Sequence, residues 1–319
     1  MVNDLPPRFD FDQAEERRFD VAASDAGARL DLYLGPRLPE FSRAAVQRLI
    51  KAGAVLLNRS PARPASRVRD GDRVDVDVPA LLPPTVEPED LPLHVLHEDA
   101  SFVVLDKAPG MAVHPGRGRH GGTVANAVAF RYGRVTEQAG AYRPGIVHRL
   151  DLDTSGVMVI ALHEAAHGAL SDAFRERTVR KEYHALVFGE PEHDEDRIDV
   201  PLGRDLTDAT RMAVRFDSGR EAVTDVKVLE RLDVAAHLLC RPRTGRTHQI
   251  RVHLQSRGHP LLGDATYARG RTPPVAVPRL MLHASRLVFP HPDTGVSVAV
   301  EAPLHADFRA VLDALRGMG

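Results

Sequence analysis

His148-Arg149-Leu150-Asp151-Leu152-Asp153-Thr154-Ser155-Gly156 is the densest polar cluster in the chain, and it lies between two apolar runs, Ile146-Val147 before it and Val157–Leu162 after it. A polar cluster bracketed in this way reads as a loop held between two scaffold elements, where reactive groups are commonly placed. Asp151 beside Arg149 suits a nucleophile or a base kept ionised by its neighbour. The competing reading is an Asx-turn in which Asp153, Thr154 and Gly156 bond their own backbone. The residues alone leave both open.

Outward from that loop, short strand-like runs dominate: Phe102–Leu105, Val157–Leu162, Tyr183–Val187, Ala222–Val228, His237–Cys240, Ile250–Leu254 and Val296–Val300. Helical periodicity appears over Thr123–Tyr132, Glu164–Arg177 and Ala306–Arg316. Many short strands with few interleaved helices predict an α+β fold on a mixed, mostly antiparallel sheet flanked by helices, not a doubly wound one. At 319 residues the chain is comfortable for two domains.

Charge divides the N-terminal part. Residues 1–28 carry net −4, residues 29–79 net +4 and the remainder −2. The acidic lead, 1–23, is expected to be a mobile tail. The basic stretch, 24–79, predicts a small module that meets phosphate, against the plainer reading of a solvated face. Within it Ser42 caps a helix running to about Ala52, with Gly53 as terminator. Ala45, Val46, Leu49 and Ile50 fall on one side of that helix, and Arg43, Gln47 and Lys51 recur on another. Ala54–Leu57 and the alternating Val74, Val76 and Val78, opened by the turn Asp70-Gly71-Asp72, read as strands. Residues 80–92 are a proline-rich linker, since prolines break both helix and ladder. The larger unit is expected over 93–319.

Composition excludes several classes. Lys+Arg 42 against Asp+Glu 44 is neither a polycation nor an acidic tail protein, and 43% hydrophobic residues suffice for a core. The single cysteine, Cys240, excludes a disulfide framework and reads as inert filler in a reducing compartment. No run has the length of a membrane span and the N-terminus lacks signal-peptide character, so a cytoplasmic location is expected. No Rossmann or P-loop signature calls for a nucleotide cofactor.

Two further clusters bear on chemistry. Arg241-Pro242-Arg243-Thr244-Gly245-Arg246-Thr247-His248-Gln249-Ile250-Arg251 places four arginines around a Thr-Gly turn and suits anion or nucleic-acid contact. His248 and His253 do not make a metal pair, because their odd spacing separates them on a strand and on a helix alike. His163-Glu164-Ala165-Ala166-His167 matches the zinc-protease pattern. However, it begins where the Val157–Leu162 run ends, so His163 should precede the helix, and His167, Leu170 and Phe174 line up as a core stripe. No metal is expected. Lys107-Ala108-Pro109-Gly110 and His114-Pro115-Gly116 read as turns with a basic group, and Tyr183 in Lys181-Glu182-Tyr183 reads as core or edge packing.

Taken together, His148-Arg149-Leu150-Asp151 followed by Thr154-Ser155-Gly156, Lys181-Glu182-Tyr183, Thr244 through His253, Leu282-His283-Ala284 and the Lys107/His114 segment resemble the RluA family of RNA pseudouridine synthases, in the right order from about Leu93 onward. The basic stretch resembles an S4-like RNA-binding domain through Arg29-Leu30-Asp31, Ser42-Arg43, Gly53 and Asp70-Gly71-Asp72. The combination is typical of the RluC/RluD type, which acts on large-subunit ribosomal RNA. Two departures stand out: Leu152 where a basic residue often follows the catalytic Asp, and Asn58-Arg59 where Asn-Gly is usual.

The resemblance implies Asp151 as catalytic carboxylate, Arg251 as its ion-pair partner and Tyr183 as the aromatic stacking on the extracted base. It implies Arg149 filling the space the base vacates, and His148, Ile250 and Leu282 at the substrate. Arg43, Gln47, Lys51, Lys107 and Arg246 are expected at the RNA backbone. No cofactor and no obligate protein partner is implied, and a monomer suffices. The alternatives are a non-catalytic RNA-binding or ribosome-assembly factor, a tRNA-directed synthase and a zinc hydrolase on His163 and His167.

Overall fold

The computed structural model describes residues 8–82, 86–116, 121–133, 144–208 and 211–318. The chain divides into two compact units, Met1–Thr85 and Val86–Gly319.

In the first unit, strand β1 (Arg8–Asp20) is followed by helices α1 (Leu30–Leu34) and α2 (Arg43–Lys51), then β2 (Val55–Leu57), β3 (Ser60–Pro61) and β4 (Arg73–Leu82), with sheet order β1-β4-β2-β3. Ser42 caps α2, its hydroxyl accepting from the Ala45 N–H, and Gly53 follows in the left-handed region at φ +83°. Ala45, Val46, Leu49 and Ile50 of α2 pack with Leu30, Leu34, Val74, Val76 and Val78 in one buried cluster.

Two expectations are corrected here. The acidic lead 1–23 was expected to be a mobile tail; residues 1–7 lie outside the described residues, and Arg8–Asp20 form β1, antiparallel to β4. The charged Glu15, Glu16, Arg17 and Arg18 suit the edge position, because pairing uses only backbone groups and edge strands commonly carry charge. The prolines after residue 78 were expected to break the ladder, yet β4 passes through Pro79 to Leu82. The register with β1 shifts there, between Asp10 and Glu15, and an irregularity of this kind accommodates a residue with no N–H to give.

The second unit is built on one nine-stranded sheet. In chain order its elements are β5 (His94–Glu98), β6 (Phe102–Lys107), α3 (Val124–Tyr132), β7 (Ser155–Ala161), α4 (Glu164–Arg175), β8 (Arg180–Phe188), β9 (Glu195–Asp199), β10 (Leu202–Arg204) and β11 (Met212–Val214). There follow β12 (Val223–Arg231), β13 (Ala235–Pro242), α5 (Gln249–Ser256), β14 (Leu282–Pro290), β15 (Ser297–Glu301) and α6 (Ala306–Arg316). The order across the sheet is β5-β6-β7-β14-β8-β13-β12-β9, with β15 also on β14, while β10 and β11 form a separate hairpin. Only the β7–β14 pair is parallel among these ladders. The sheet is thus mixed and mostly antiparallel. No helix among the described residues is long and apolar enough to cross a membrane.

Ile250–Leu254, expected to be a strand, lies in helix α5. The alternation of Ile250, Arg251, Val252, His253 and Leu254 is not an in-and-out pattern, because all five are buried. Arg251 is paired with Asp264, and His253 bonds the Thr224 hydroxyl and the Val200 carbonyl, so polar residues occupy core positions with their partners supplied.

Candidate active site

The polar loop 148–154 leads directly into β7, beside the parallel partner β14, with Ser155 opposite His283 and Gly156 opposite Ala284. Gly156 sits at φ +109°, and a Cβ there would lie 2.0 Å from the Ala284 carbonyl oxygen, so only glycine lets the two strands approach this closely. The loop backbone is held from two sides. Lys107 Nζ donates to the Leu152 carbonyl at 3.0 Å, and Arg279 Nη1 donates to the Asp153 carbonyl at 3.1 Å. The Thr154 N–H closes a turn onto the Asp151 carbonyl at 3.1 Å. The turn is closed by backbone groups and not by an Asp side chain as an Asx-turn would be, and the Asp151 carboxylate is left to face a cavity.

Helix α5 brings Arg251 to Asp151, Nη1 to Oδ2 at 3.1 Å, with the two side chains 11% and 17% exposed. The same guanidinium holds Asp264 with Nε and Nη2 at 2.7 and 2.9 Å. Burial works against the charge on Arg251, but Asp264 and Asp151 outweigh it and raise its pKa above the ordinary value. Burial likewise pushes Asp264 upward, and the bonds from Arg251, Tyr267 N–H and Thr266 N–H overcome it, so its carboxyl lies below the usual range. The Tyr267 ring lies 5.0 Å from the Arg251 guanidinium carbon, and its hydroxyl accepts from the Met212 N–H and bonds His248 Nδ1, each at 2.9 Å.

The cavity has a volume of about 590 Å³ and is lined by the loop, by Lys181 and Tyr183 of β8, by Ile250 and Arg251 of α5, by Leu282 and by the Arg243–His248 turn. Tyr183, Ile250 and Leu282 pack in one apolar cluster. Burial, and then the charge of Asp151, push the Tyr183 hydroxyl upward, so it keeps its proton. Gln249 fixes the arginine-rich turn with its whole amide. Its oxygen accepts from the Thr244 hydroxyl (2.7 Å) and the Arg246 N–H (3.0 Å), while its nitrogen donates to the Val223 carbonyl (3.0 Å) and the Thr224 hydroxyl (2.9 Å). His248, the residue just before α5, is held in the left-handed region at φ +55°.

The expected site residues thus fall into two groups. Asp151, Arg251, Tyr183, Arg149, Ile250, Leu282 and Arg246 all line the one cavity. His148 also lines it, but its ring is committed elsewhere: Nε2 accepts the Val159 N–H at 3.0 Å and the ring stacks on Phe174 at 4.6 Å. Burial, reinforced by the charge of Lys181, lowers its pKa to about 3, so it is a neutral structural ring. Lys107, expected at the RNA backbone, is buried, with Nζ donating to the Ala108, Met111 and Leu152 carbonyls at 2.8, 2.9 and 3.0 Å. In the first unit Arg43 and Gln47 both bond the buried Asp31, while Lys51, exposed like Arg43, has no such tie among the described residues.

His163 precedes α4, as expected, and its Nδ1 accepts the Ala166 N–H as a cap at 3.1 Å, so the zinc-protease match is not a pair on one helix. Sequence reasoning missed Asp264 and Tyr267, which Gly263-Asp264-Ala265-Thr266-Tyr267 signals only as a turn. It also left Lys181 out of the site. That lysine lies in the cavity wall, donates to the Thr244 carbonyl at 3.2 Å, and burial lowers its pKa to about 8.

Comparison with known proteins agrees with this arrangement. A family model described as RNA pseudouridylate synthase matches residues 101–256, and the S4 domain model matches residues 28–74. An uncharacterized RNA pseudouridine synthase of Synechocystis sp. is 39% identical over 299 residues, 93% of this chain and 91% of the relative. Ribosomal large subunit pseudouridine synthase D of Xanthomonas campestris pv. campestris is 40% identical over 307 residues, again 93% and 91%. Among solved structures, human RNA Pseudouridylate Synthase Domain Containing 4 matches with a TM-score of 0.56 at 27% identity, covering 70% of this chain and 93% of that one. With the sheet, the cavity and these relatives in agreement, the chain belongs to the RNA pseudouridine synthase family, its catalytic domain preceded by an S4 domain.

Proposed function

We propose that this pseudouridine synthase isomerises uridines of large-subunit ribosomal RNA, with Asp151 as its catalytic carboxylate. The reaction breaks the bond from uracil N1 to the ribose, turns the base, joins C5 to the same sugar carbon, and moves the C5 proton out as N1 gains one. Neither electrons nor phosphates are exchanged. What the reaction needs is an ionised carboxylate shielded from water beside room for a free-turning uracil. The observation that carries the reading is the Arg251–Asp151 pair in the wall of a cavity that also holds the Tyr183 ring.

A uridine must leave its stack to reach this cavity, at a cost of a few kcal/mol. Stacking on Tyr183 returns roughly 1–3 kcal/mol. Arg149, exposed at the rim, stands to occupy the vacated place in the RNA, and Arg246 with Lys181 to meet phosphate. The S4 domain, which we place over 24–79, adds sequence-independent grip. The ribosomal target is supported by the synthase D relative, named for the ribosomal large subunit.

Asp151→Asn tests the assignment. The purified variant should bind RNA and form no pseudouridine; turnover equal to the wild type removes Asp151 from the chemistry. Pseudouridine mapping of ribosomal and transfer RNA, from cells with and without the gene, should show missing sites in the large-subunit RNA. Loss confined to transfer RNA overturns the substrate class.

A further inference from the structure

Among the described residues four threonines are buried, and three of their hydroxyls are answered. Thr123 bonds Asn126, Thr224 bonds Gln249 and His253, and Thr244 bonds Gln249. Thr154, 1% exposed, is the exception: its Oγ1 is closed off from solvent and has no hydrogen-bond partner among the described residues. A buried hydroxyl left in that condition costs stability, so an apolar side chain of the same shape would fold better there.

The backbone holds Thr154 still. The Asp153 carbonyl before it accepts from Arg279, and Ser155 after it begins β7, its own hydroxyl bonded to His283 Nδ1 at 2.9 Å. Thr154 N–H also closes the turn onto the Asp151 carbonyl, which sets the two α-carbons within about 7 Å and the side chains within bonding reach of one another. Both residues line the one cavity. The Asp151 carboxylate uses Oδ2 on Arg251 at 3.1 Å, its only hydrogen bond among the described residues.

We propose that Thr154 is a positioning residue for the reaction: its hydroxyl is held ready for the Asp151 carboxylate and donates to it when that side chain turns from Arg251 toward a bound uridine. An anion that moves inside a cavity needs a donor at each end of its path, and a donor fixed in advance costs no reorganisation when the charge arrives. Arg251 is the donor at rest, and Thr154 is the only side-chain donor in the turn Asp151–Thr154. The inference rests on Asp151 being the catalytic group.

The test is steady-state isomerisation and thermal melting of the full-length chain carrying Thr154→Val or Thr154→Ser, with Asp151→Asn as control. Valine keeps the branched shape and removes the hydroxyl. It should leave the melting temperature no lower than wild type, and higher by roughly 2–4 °C where the whole penalty is relieved. It should lower kcat roughly 10- to 100-fold, the scale of a hydrogen bond to a charged group, with KM for RNA nearly unchanged because the hydroxyl faces no solvent. Serine keeps the hydroxyl and should stay within a few-fold of wild-type kcat. Undiminished stability with lost turnover in the valine variant, beside an active serine variant, is not the behaviour of a hydroxyl that only holds the fold. Wild-type kcat in Thr154→Val overturns the proposal. So does a lowered melting temperature or failure to fold, which would give the hydroxyl a partner in the resting enzyme. Serine as slow as valine overturns it too, because the methyl group would then be what matters. If Asp151→Asn stays active the catalytic reading has failed; if it is inactive while Thr154→Val turns over normally, only the present inference has.

Discussion

Lys107 Nζ, buried at the end of β6, lies 3.0 Å from the carbonyl oxygen of Leu152, the residue that follows Asp151. Its two other bonds, to Ala108 and Met111, draw a second loop to the same ammonium. A cation used as a backbone clamp is strong, because a hydrogen bond to a charged donor contributes about 1.5–3 kcal/mol. It is also expensive to bury. Burial lowers Lys107 from 10.5 to about 7, with the charges of Asp153 and Asp151 resisting and Arg279 assisting.

Lys107→Met should therefore lower kcat by loosening the loop, and should change how stability depends on pH. The unfolded chain holds the Lys107 proton up to about pH 10.5 and the folded chain only to about pH 7. Between those values unfolding takes up a proton, so raising the pH through that window stabilises the fold. Urea midpoints at two pH values inside the window should rise more for the wild type than for the variant. Equal changes would remove the titration from Lys107.

Gly156→Ala should be among the most damaging single substitutions in the second unit. The backbone at φ +109° costs about 1–3 kcal/mol for any residue with a Cβ, and the overlap with Ala284 adds to it. Relief requires β7 and β14 to separate, which displaces Asp151 at the head of β7. Low soluble yield, or a melting temperature many degrees below wild type with lost turnover, is expected. A variant of normal stability would show that the parallel pair is looser than drawn.

How far the sequence reached depends on whether a residue's partners were near it in the chain. α6 was readable over Ala306–Arg316 because one apolar face, Phe308, Val311, Leu312 and Leu315, alternates with solvated positions. α5 was not, because Arg251 and His253 meet partners on other segments and so look exposed when they are buried. For the same reason Lys107 looked like a surface cation and Asp264 like a turn residue. β1 was hidden by its charge, since an edge strand needs no apolar pattern to pair. Asp151, Arg251, Tyr183, Ile250 and Leu282 in the cavity wall were legible through the family resemblance; Lys181 beside them and the support behind them were not.

Acid should weaken the second unit through neutral histidines. Burial lowers His148 to about 3, and His237 and His283 to about 4 each, against an ordinary 6.5. As the pH falls below 6.5 the unfolded chain takes up protons that the folded chain refuses, and the stability these rings contribute at neutral pH is lost by about pH 3–4. His148→Gln, whose amide oxygen reaches about as far as Nε2, can still accept the Val159 N–H but does not titrate. It should be less stable at neutral pH, having lost the stack on Phe174, and should lose less on acidification than the wild type. An identical acid slope in the two proteins would assign the titration to other groups.

In the first unit, phosphate contact should fall on Lys51 more than on Arg43. Asp31 accepts from Arg29, Arg43 and Gln47, and Arg29 foremost, despite the opposing effect of burial, drives its pKa far below the ordinary range. Arg43 therefore has much of its charge answered within the fold. Lys51 ends α2 on the exposed side. Each phosphate neutralised contributes about 0.7–0.9 to the slope of log affinity against log salt. Lys51→Ala should flatten that slope by close to one contact when RNA binding is measured across a salt series. Arg43→Ala should flatten it less and lower the melting temperature more, because Asp31 loses a partner while remaining buried. If the two substitutions change the slope equally, the Asp31 tie does not hold Arg43 back from the RNA.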